Sequence, residues 1–385
     1  MMRRTRVAKC AALSIAAFLS SSCSVLNPYY DPQKPHHKID GFKNNYLTDP
    51  IGKQFLTWQT NRIIEGLPKP PENDYAFPIV QPDVAWLRNN RTQTSATWIG
   101  HATVLMQVNG VNVITDPVFS KRVSPVSFIG PARKVPLPMA ITDLPLVDVV
   151  LISHNHYDHL DKDSVLQLNR QLGGPPLFLV PLGIKPWMAD IGIVNVRELD
   201  WWQQTDVAGL AVHFVPVQHW SSRILTDRFD TLWGGWMVRA GVGSSAAPMT
   251  PAAAAVTATT TTTSTATPTV TAAKPFSFFF AGDTGYSKDF ADIQKRFKSV
   301  DLALLPVGAY APRWFLRNQH IDPTEAVQIH QDLHARQSIG IHWGTFELTD
   351  EALDEPPKAL ARARQAAGIA AQDFTVLQLG ETQKF

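Results

Sequence analysis

Four metal-binding side chains fall within six residues, His154-Asn155-His156-Tyr157-Asp158-His159, directly after the apolar run 147–153. In an extended segment alternate residues face one way, so His154 and His156 can share one metal. Asp158 and His159, where the chain turns toward a helix, can face a second metal beside the first. Three more ligand-type residues stand where apolar runs stop: His219, Asp283 and His342. Strand ends are where layered folds gather their functional loops. Imidazole and carboxylate donors suit zinc, with manganese or iron as alternatives. Both cysteines, Cys10 and Cys23, lie in the leader, so the body of the chain offers neither thiolate ligand nor disulfide.

The elements that must hold these residues are legible as alternating patterns. Residues 103–108 and 111–115 flank Asn109-Gly110, a dipeptide that readily takes the positive φ of a tight hairpin turn. Further strand-like runs cover 147–153, 177–180, 210–217, 236–239, 276–281, 302–307, 338–341 and 375–379. Helices are predicted over 162–172, 288–297 and 324–336, the last opened by a capping box in Asp322, Pro323 and Glu325. Strands interspersed with helices give an α/β layered class, two sheets with helices on their outer faces. A 44% hydrophobic fraction among 385 residues supports a sizeable core. The net charge of +2 is too small for an extended nucleic-acid footprint, and no nucleic acid is expected as partner.

The order His154-x-His156-x-Asp158-His159, His219, Asp283, His342 resembles the metallo-β-lactamase superfamily. More narrowly, the chain is similar to its N-acyl-phosphatidylethanolamine-hydrolysing phospholipase D branch over nearly all of residues 80–380. The matching segments are Trp98-Ile99-Gly100-His101-Ala102-Thr103, Thr115-Asp116-Pro117, the metal motif and Val217-Gln218-His219-Trp220. They continue with Gly282-Asp283-Thr284-Gly285-Tyr286, Pro306-Val307-Gly308-Ala309-Tyr310, His320-Ile321-Asp322-Pro323 and His342-Trp343-Gly344-Thr345-Phe346. The resemblance implies an αββα sandwich of the metallo-β-lactamase fold. It implies one zinc on His154, His156 and His219, a second on Asp158, His159 and His342, and Asp283 bridging the two. A pair of metals roughly 3.5–4 Å apart can hold a bridging hydroxide for in-line attack on phosphorus. The expected reaction is phospholipase D-type hydrolysis of N-acyl-phosphatidylethanolamine-like lipids. A lactone or cyclic-ester hydrolase is the alternative, and a non-catalytic metal-binding envelope protein a third reading.

Asp283, Asp158 and His320 are the candidate catalytic residues; His320 would contact the phosphate or protonate the leaving group. His101 and Asp116 are candidates to orient ligands from behind, with satisfied core polar groups as the alternative. Tyr310, Arg313, Trp314 and Phe315 form a loop able to receive a lipid headgroup, or an ordinary packed loop. His330 and His334 have helical i, i+4 spacing but no third ligand, and read as a solvated helix face. His36 and His37 fall in a flexible leader and receive no role.

The chain divides into a signal peptide at 1–23, an N-terminal extension at 24–82 and the domain at 83–385. Arg3, Arg4, Arg6 and Lys9 precede an apolar stretch and small residues, a secretory pattern. Cys23 then occupies the place of a lipoprotein's acylated cysteine, although Ser20 departs from the apolar residue expected there. A lipid on Cys23 would tie an exported protein to the cell envelope, periplasm-facing and membrane-associated. Plain secretion and an uncleaved anchor are the alternatives. In the extension, a helix capped by Asp49 and Pro50 would turn Phe55, Trp58 and Ile63 onto the domain. Residues 244–273, almost wholly Ala, Thr, Ser and Pro, cannot offset their ordering entropy and predict a disordered insertion in a hairpin.

Overall fold

The computed structural model describes residues 26–46, 54–68, 70–72, 75–241 and 275–385. The signal peptide, the Asp49-Pro50 cap and the 244–273 insertion lie outside the described residues. The chain opens with strands β1 (His37–Lys38) and β2 (Gly41–Phe42) and helices α1 (Gln54–Glu65) and α2 (Val84–Asn89). A first sheet is then laid down by β3 (Ser95–Gly100), β4 (Thr103–Val108), β5 (Val111–Thr115), β6 (Val149–Leu151), α3 (Lys162–Asn169), β7 (Leu177–Pro181), α4 (Ile184–Asp190) and β8 (Val196–Leu199). The second is built by β9 (Gln204–Val207), β10 (Leu210–Val215), β11 (Gly235–Ala240), β12 (Phe276–Phe280), α5 (Asp289–Phe297) and β13 (Val300–Pro306). It is completed by α6 (Arg313–Leu316), α7 (Pro323–Asp332), β14 (Ala335–Ile341), α8 (Glu355–Ala366) and β15 (Phe374–Val376), after which β16 (Thr382–Lys384) returns to the first sheet.

The sheet orders are β16-β3-β4-β5-β6-β7-β8 and β15-β14-β13-β12-β11-β10-β9. Both are mixed: β3 to β5 run antiparallel and β5 to β8 parallel, while β9 to β12 run antiparallel and β12 to β15 parallel. Asn109 and Gly110 take φ of 50° and 81° and close the β4–β5 hairpin as their sequence predicts. β11 and β12, on either side of the Ala/Thr-rich segment, pair from Trp236↔Phe280 to Ala240↔Phe276.

Alternation within the strands explains why the apolar runs are continuous. In β6, Val149 and Leu151 face the layer between the sheets, whereas Val150 joins the outer layer under the helices. Val104 and Met106 of β4 face inward while Leu105 faces outward. Both faces are covered, so no polar alternation survives.

Departures from the sequence reading have local causes. The helix expected over 324–336 ends at Asp332, because His334 takes a left-handed φ of 49° and the chain enters β14 at Ala335. His330 is therefore not on a solvated face; it is buried and its Nδ1 meets Ser338 Oγ at 2.8 Å. Helix α1 does not bury its apolar side. Trp58 is its one buried residue, stacked on Phe315 and donating from Nε1 to Asp350 at 2.7 Å beside the Arg62–Asp350 ion pair at 3.1 Å, while Ile63 is 84% exposed.

The largest correction concerns His36 and His37, which are buried around a buried carboxylate. Asp200 accepts from Lys34 Nζ at 2.5 Å, and meets His36 Nε2 at 2.7 Å and His37 Nε2 at 3.0 Å. A buried carboxylate requires such partners. Burial opposes its charge, but His36, Lys34 and His37 hold Asp200 well below the usual carboxylate range. A depressed carboxyl pKa contributes stability above the unfolded value of about 3.9, which is lost as pH falls through the folded value. Asp200→Asn is accordingly expected to cost roughly 2–3 kcal/mol near neutrality. Denaturant unfolding at a series of pH values should show that gap closing in acid; a gap independent of pH would contradict the charge-based account.

Candidate metal centre

Every sequence-predicted donor sits just past the C-terminal end of a strand. His154 and His156 follow β6, and the same turn carries Asp158 and His159 into α3, held by the Leu160 N–H to the His156 carbonyl at 2.8 Å. His219 follows β10, Asp283 follows β12 and His342 follows β14. The two sheets thus deliver their donors to one edge of the sandwich. Three residues there take left-handed backbone, His101 (φ 53°), Asp116 (φ 28°) and His342 (φ 62°). Such φ values carry strain of about 1–3 kcal/mol each and persist when surrounding bonds over-determine them. Here His342 N–H donates to the His101 carbonyl and Thr103 Oγ1 to the Asp116 carbonyl.

The donors form two groups. His156 Nδ1 lies 2.8 Å from His154 Nε2 and 3.3 Å from His219 Nε2. His159 Nε2 and His342 Nε2 are 3.1 Å apart, with Asp158 Oδ2 at 3.4 and 3.5 Å from them. Asp283 stands between the groups, Oδ2 at 3.2 Å from His159 and 3.9 Å from His219, Oδ1 at 3.1 Å from His342. Tetrahedral zinc with bonds of about 2.0–2.1 Å places its donors roughly 3.3 Å apart, a spacing these distances bracket. Three imidazole nitrogens converging on one point cannot all satisfy one another, since one proton serves one pair. A cation fits that donor set.

The far sides of three of the rings, His159, His154 and His219, are held by partners that set their tautomers. His159 Nδ1 meets Asp116 Oδ2 at 2.6 Å, and Asp116 in turn accepts from Ser153 N–H at 2.7 Å and Ser153 Oγ–H at 2.5 Å. His154 Nδ1 meets the same Ser153 Oγ at 2.9 Å, and His219 Nδ1 donates to the Gln319 carbonyl at 2.9 Å. With Nδ1 protonated, Nε2 of His219 and His159 offers a lone pair to the cluster. Asp116 thus meets the far nitrogen of His159, and His101 lies 3.0 Å from Asp158 Oδ2.

Burial and mutual repulsion hold His154 and His219 well below the ordinary imidazole range, and burial pushes His156 down to about 4. Burial also opposes charge on His159 and His342, but Asp283 and Asp158 overcome it, raising His159 and bringing His342 to about 9. The same histidines hold Asp158 and Asp283 ionised despite their burial. Neutral imidazoles on one side and ionised carboxylates between are the forms a metal requires; His159 and His342 would release protons on binding one.

The donors floor a cleft of about 500 Å³ lined by His156, Asp158, Asp283 and His320 and walled by Trp58 and Phe315. His320 Nδ1 is 3.7 Å from Asp283 Oδ2. Of the aromatic and cationic loop, Phe315 lines the cleft and Trp314 reaches solvent. Arg313 is engaged elsewhere, with Glu325 at 2.5 Å, Asp322 at 3.3 Å and the His320 carbonyl at 2.6 Å. Sequence reading missed Asn44, and took Trp58 for a packing residue without foreseeing its place on the cleft wall. Asn44 touches His219 across 175 residues, and Trp58 sits on a helix before the domain with nothing local to tie it to the cleft.

A family model described as "Beta-lactamase superfamily domain" matches residues 111–343. The chain is 37% identical over 298 residues to an N-acyl-phosphatidylethanolamine-hydrolyzing phospholipase D 1 of Caenorhabditis elegans, covering 74% of each. It is 35% identical over 295 residues to the mitochondrial N-acyl-phosphatidylethanolamine-hydrolyzing phospholipase D of Saccharomyces cerevisiae, covering 75% of this chain and 55% of that one. Among solved structures, an isothiocyanate hydrolase from Delia radicum gut bacteria superposes with a TM-score of 0.53 at 20% identity, over 76% of this chain and 99% of its own.

Proposed function

From the chain's membership of the β-lactamase superfamily, a fold that carries metal-dependent hydrolases, we propose a dinuclear zinc phosphodiesterase of phospholipase D type acting on N-acyl-phosphatidylethanolamine-like lipids. In this reading His154, His156 and His219 would hold one ion and Asp158, His159 and His342 the other, with Asp283 available to both. Bound there, the ions would supply an activated water at neutral pH and polarise a phosphoryl oxygen. Asp116, Ser153 and the Gln319 carbonyl hold the imidazoles in the tautomers that bind. His320 faces the same space from the cleft wall. Burial brings its pKa down to about 4, so it is neutral near pH 7 and offers an N–H to a phosphate oxygen rather than a full positive charge.

The observation that carries the lipid substrate is the apolar character of the cleft's rim. Helix α1, whose Phe55 and Trp58 line the cleft, also exposes Leu56, Ile63 and Ile64, the last two at 84% and 75%. Val123 and Pro131 also line the cleft, and the loop between them exposes Phe128 and Ile129. Large apolar side chains grouped around a polar floor mark a binding surface, whereas single ones do not. Among the described residues no helix is long and apolar enough to cross a membrane.

The test is turnover of N-acyl-phosphatidylethanolamine vesicles with identification of phosphatidic acid and the N-acylethanolamine. Lactone hydrolysis with no phospholipid turnover would overturn the substrate class. A paired variant, Ile63→Ser with Ile64→Ser, is expected to slow vesicle hydrolysis about tenfold, the equivalent of 1.4 kcal/mol of lost apolar contact. Hydrolysis of a water-soluble phosphodiester should be unaffected; parallel loss on both substrates would refute the role of the rim.

A further inference from the structure

Asn44 lies in segment 26–46, outside the stretch matched by the family model, yet its carboxamide closes on the backbone of His219. Its Oδ1 accepts from the His219 N–H at 3.0 Å and from Trp233 Nε1–H at 3.1 Å, and its Nδ2 donates to the His219 carbonyl at 2.8 Å. Asn44 is 9% exposed and His219 1%. His219 stands one residue past the isolated Gln218–Gly285 bridge, where sheet pairing on this edge has stopped. Its backbone N–H and carbonyl are buried there, and buried backbone groups must be paired.

The segment carrying Asn44 is fixed on both sides of it. Lys34, His36 and His37 grip Asp200, the Phe42 N–H donates to the Phe229 carbonyl at 2.9 Å, and Asn45 Nδ2 donates to Asp289 Oδ1 at 2.8 Å. Phe42 itself is buried in the main core.

We propose that Asn44 is a positioning residue for His219, so that the N-terminal segment completes the His154/His156/His219 half of the metal centre. The Gln319 carbonyl fixes the rotation of the His219 ring from its far nitrogen. Asn44 fixes the place of the backbone from which the ring projects. Both constraints are needed to hold Nε2 at 3.3 Å from His156 Nδ1. Metal–ligand bonds tolerate displacements of only about 0.2 Å, so a backbone free to shift would weaken this half and spare the other.

The inference rests on the metal centre proposed above and is tested on the full chain with cobalt(II) as probe, by visible absorption and chelator competition. In Asn44→Ala the affinity for one of two cobalt ions is expected to fall roughly 10–100-fold, as when a ligand's outer partner is lost, with the absorption bands of that site altered. The second ion should bind as in the parent. Asn45→Ala, a control in the same segment tied to Asp289, should leave both ions unchanged. The same split is expected of Asn44→Asp, in which a carboxylate oxygen would face the His219 carbonyl where a donor stood. This variant decides the matter should Asn44→Ala fail to fold. Unchanged affinities for both ions, or equal loss of both in Asn44 and Asn45 variants alike, would overturn the proposal. A parent chain that binds no cobalt would instead overturn the metal centre itself.

Discussion

Asp283→Asn is expected to lower turnover by roughly 10³-fold, about 4 kcal/mol of transition-state stabilisation, and to release at least one metal ion. The carboxylate reaches both donor groups, with Oδ2 between His159 and His219 and Oδ1 beside His342. The amide keeps the shape but removes the negative charge. It also places an N–H₂ where an imidazole nitrogen or a cation needs an acceptor. In the metal-free chain, the charge that Asp283 places beside His159 and His342 is lost, and breaking a buried charge pair from one side costs about 3–5 kcal/mol. Turnover, metal per chain after dialysis and denaturant stability are read on the same preparation. Near-parental turnover with two retained ions would contradict the bridging role.

Asp116→Asn should have the second-largest effect although Asp116 faces away from the cleft. Its Oδ1 is committed to the Ser153 N–H at 2.7 Å and its Oδ2 receives His159 Nδ1 at 2.6 Å. In the asparagine variant the backbone N–H selects the amide oxygen, so the N–H₂ is turned toward His159 Nδ1. That ring must then accept on Nδ1 and carry its proton on Nε2, the nitrogen that would otherwise hold the metal. The expected outcome is a roughly 10–100-fold loss of affinity for the ion on the Asp158/His159/His342 side, with turnover falling in parallel. Competition with a chelator of known strength measures this. Unaltered affinity would show that Asp116 is merely a satisfied core group.

The site was more legible in the sequence than the elements that frame it. His and Asp at the ends of apolar strands are conspicuous because a buried strand has no other use for them. Seven such donors, His154, His156, Asp158, His159, His219, Asp283 and His342, do converge. The β4–β5 hairpin was legible through Asn109-Gly110, and α7 through its capping box. Edge strands were not, because β8 (VREL), β9 (QTDV) and β16 (TQK) have polar faces and little apolar signal. Helix α8 escaped for the same reason, burying only Pro356 and Leu360. The N-terminal segment was misread because its partners are remote. Asp200 meets His36 across 164 residues, and nothing local marks either as buried. Helix α1 was recognised, but of the apolar face read as packing on the domain only Trp58 is buried; Phe55 lines the cleft half-exposed and Ile63 stands in solvent.

The most direct measurement is the metal content of the purified protein by elemental mass spectrometry, with hydrolysis of a simple phosphodiester followed on the same sample. Close to two ions per chain, with turnover abolished by chelator and restored by zinc, is the predicted result. Turnover that persists in a chain holding less than one ion would contradict the dinuclear centre on which the proposed function depends.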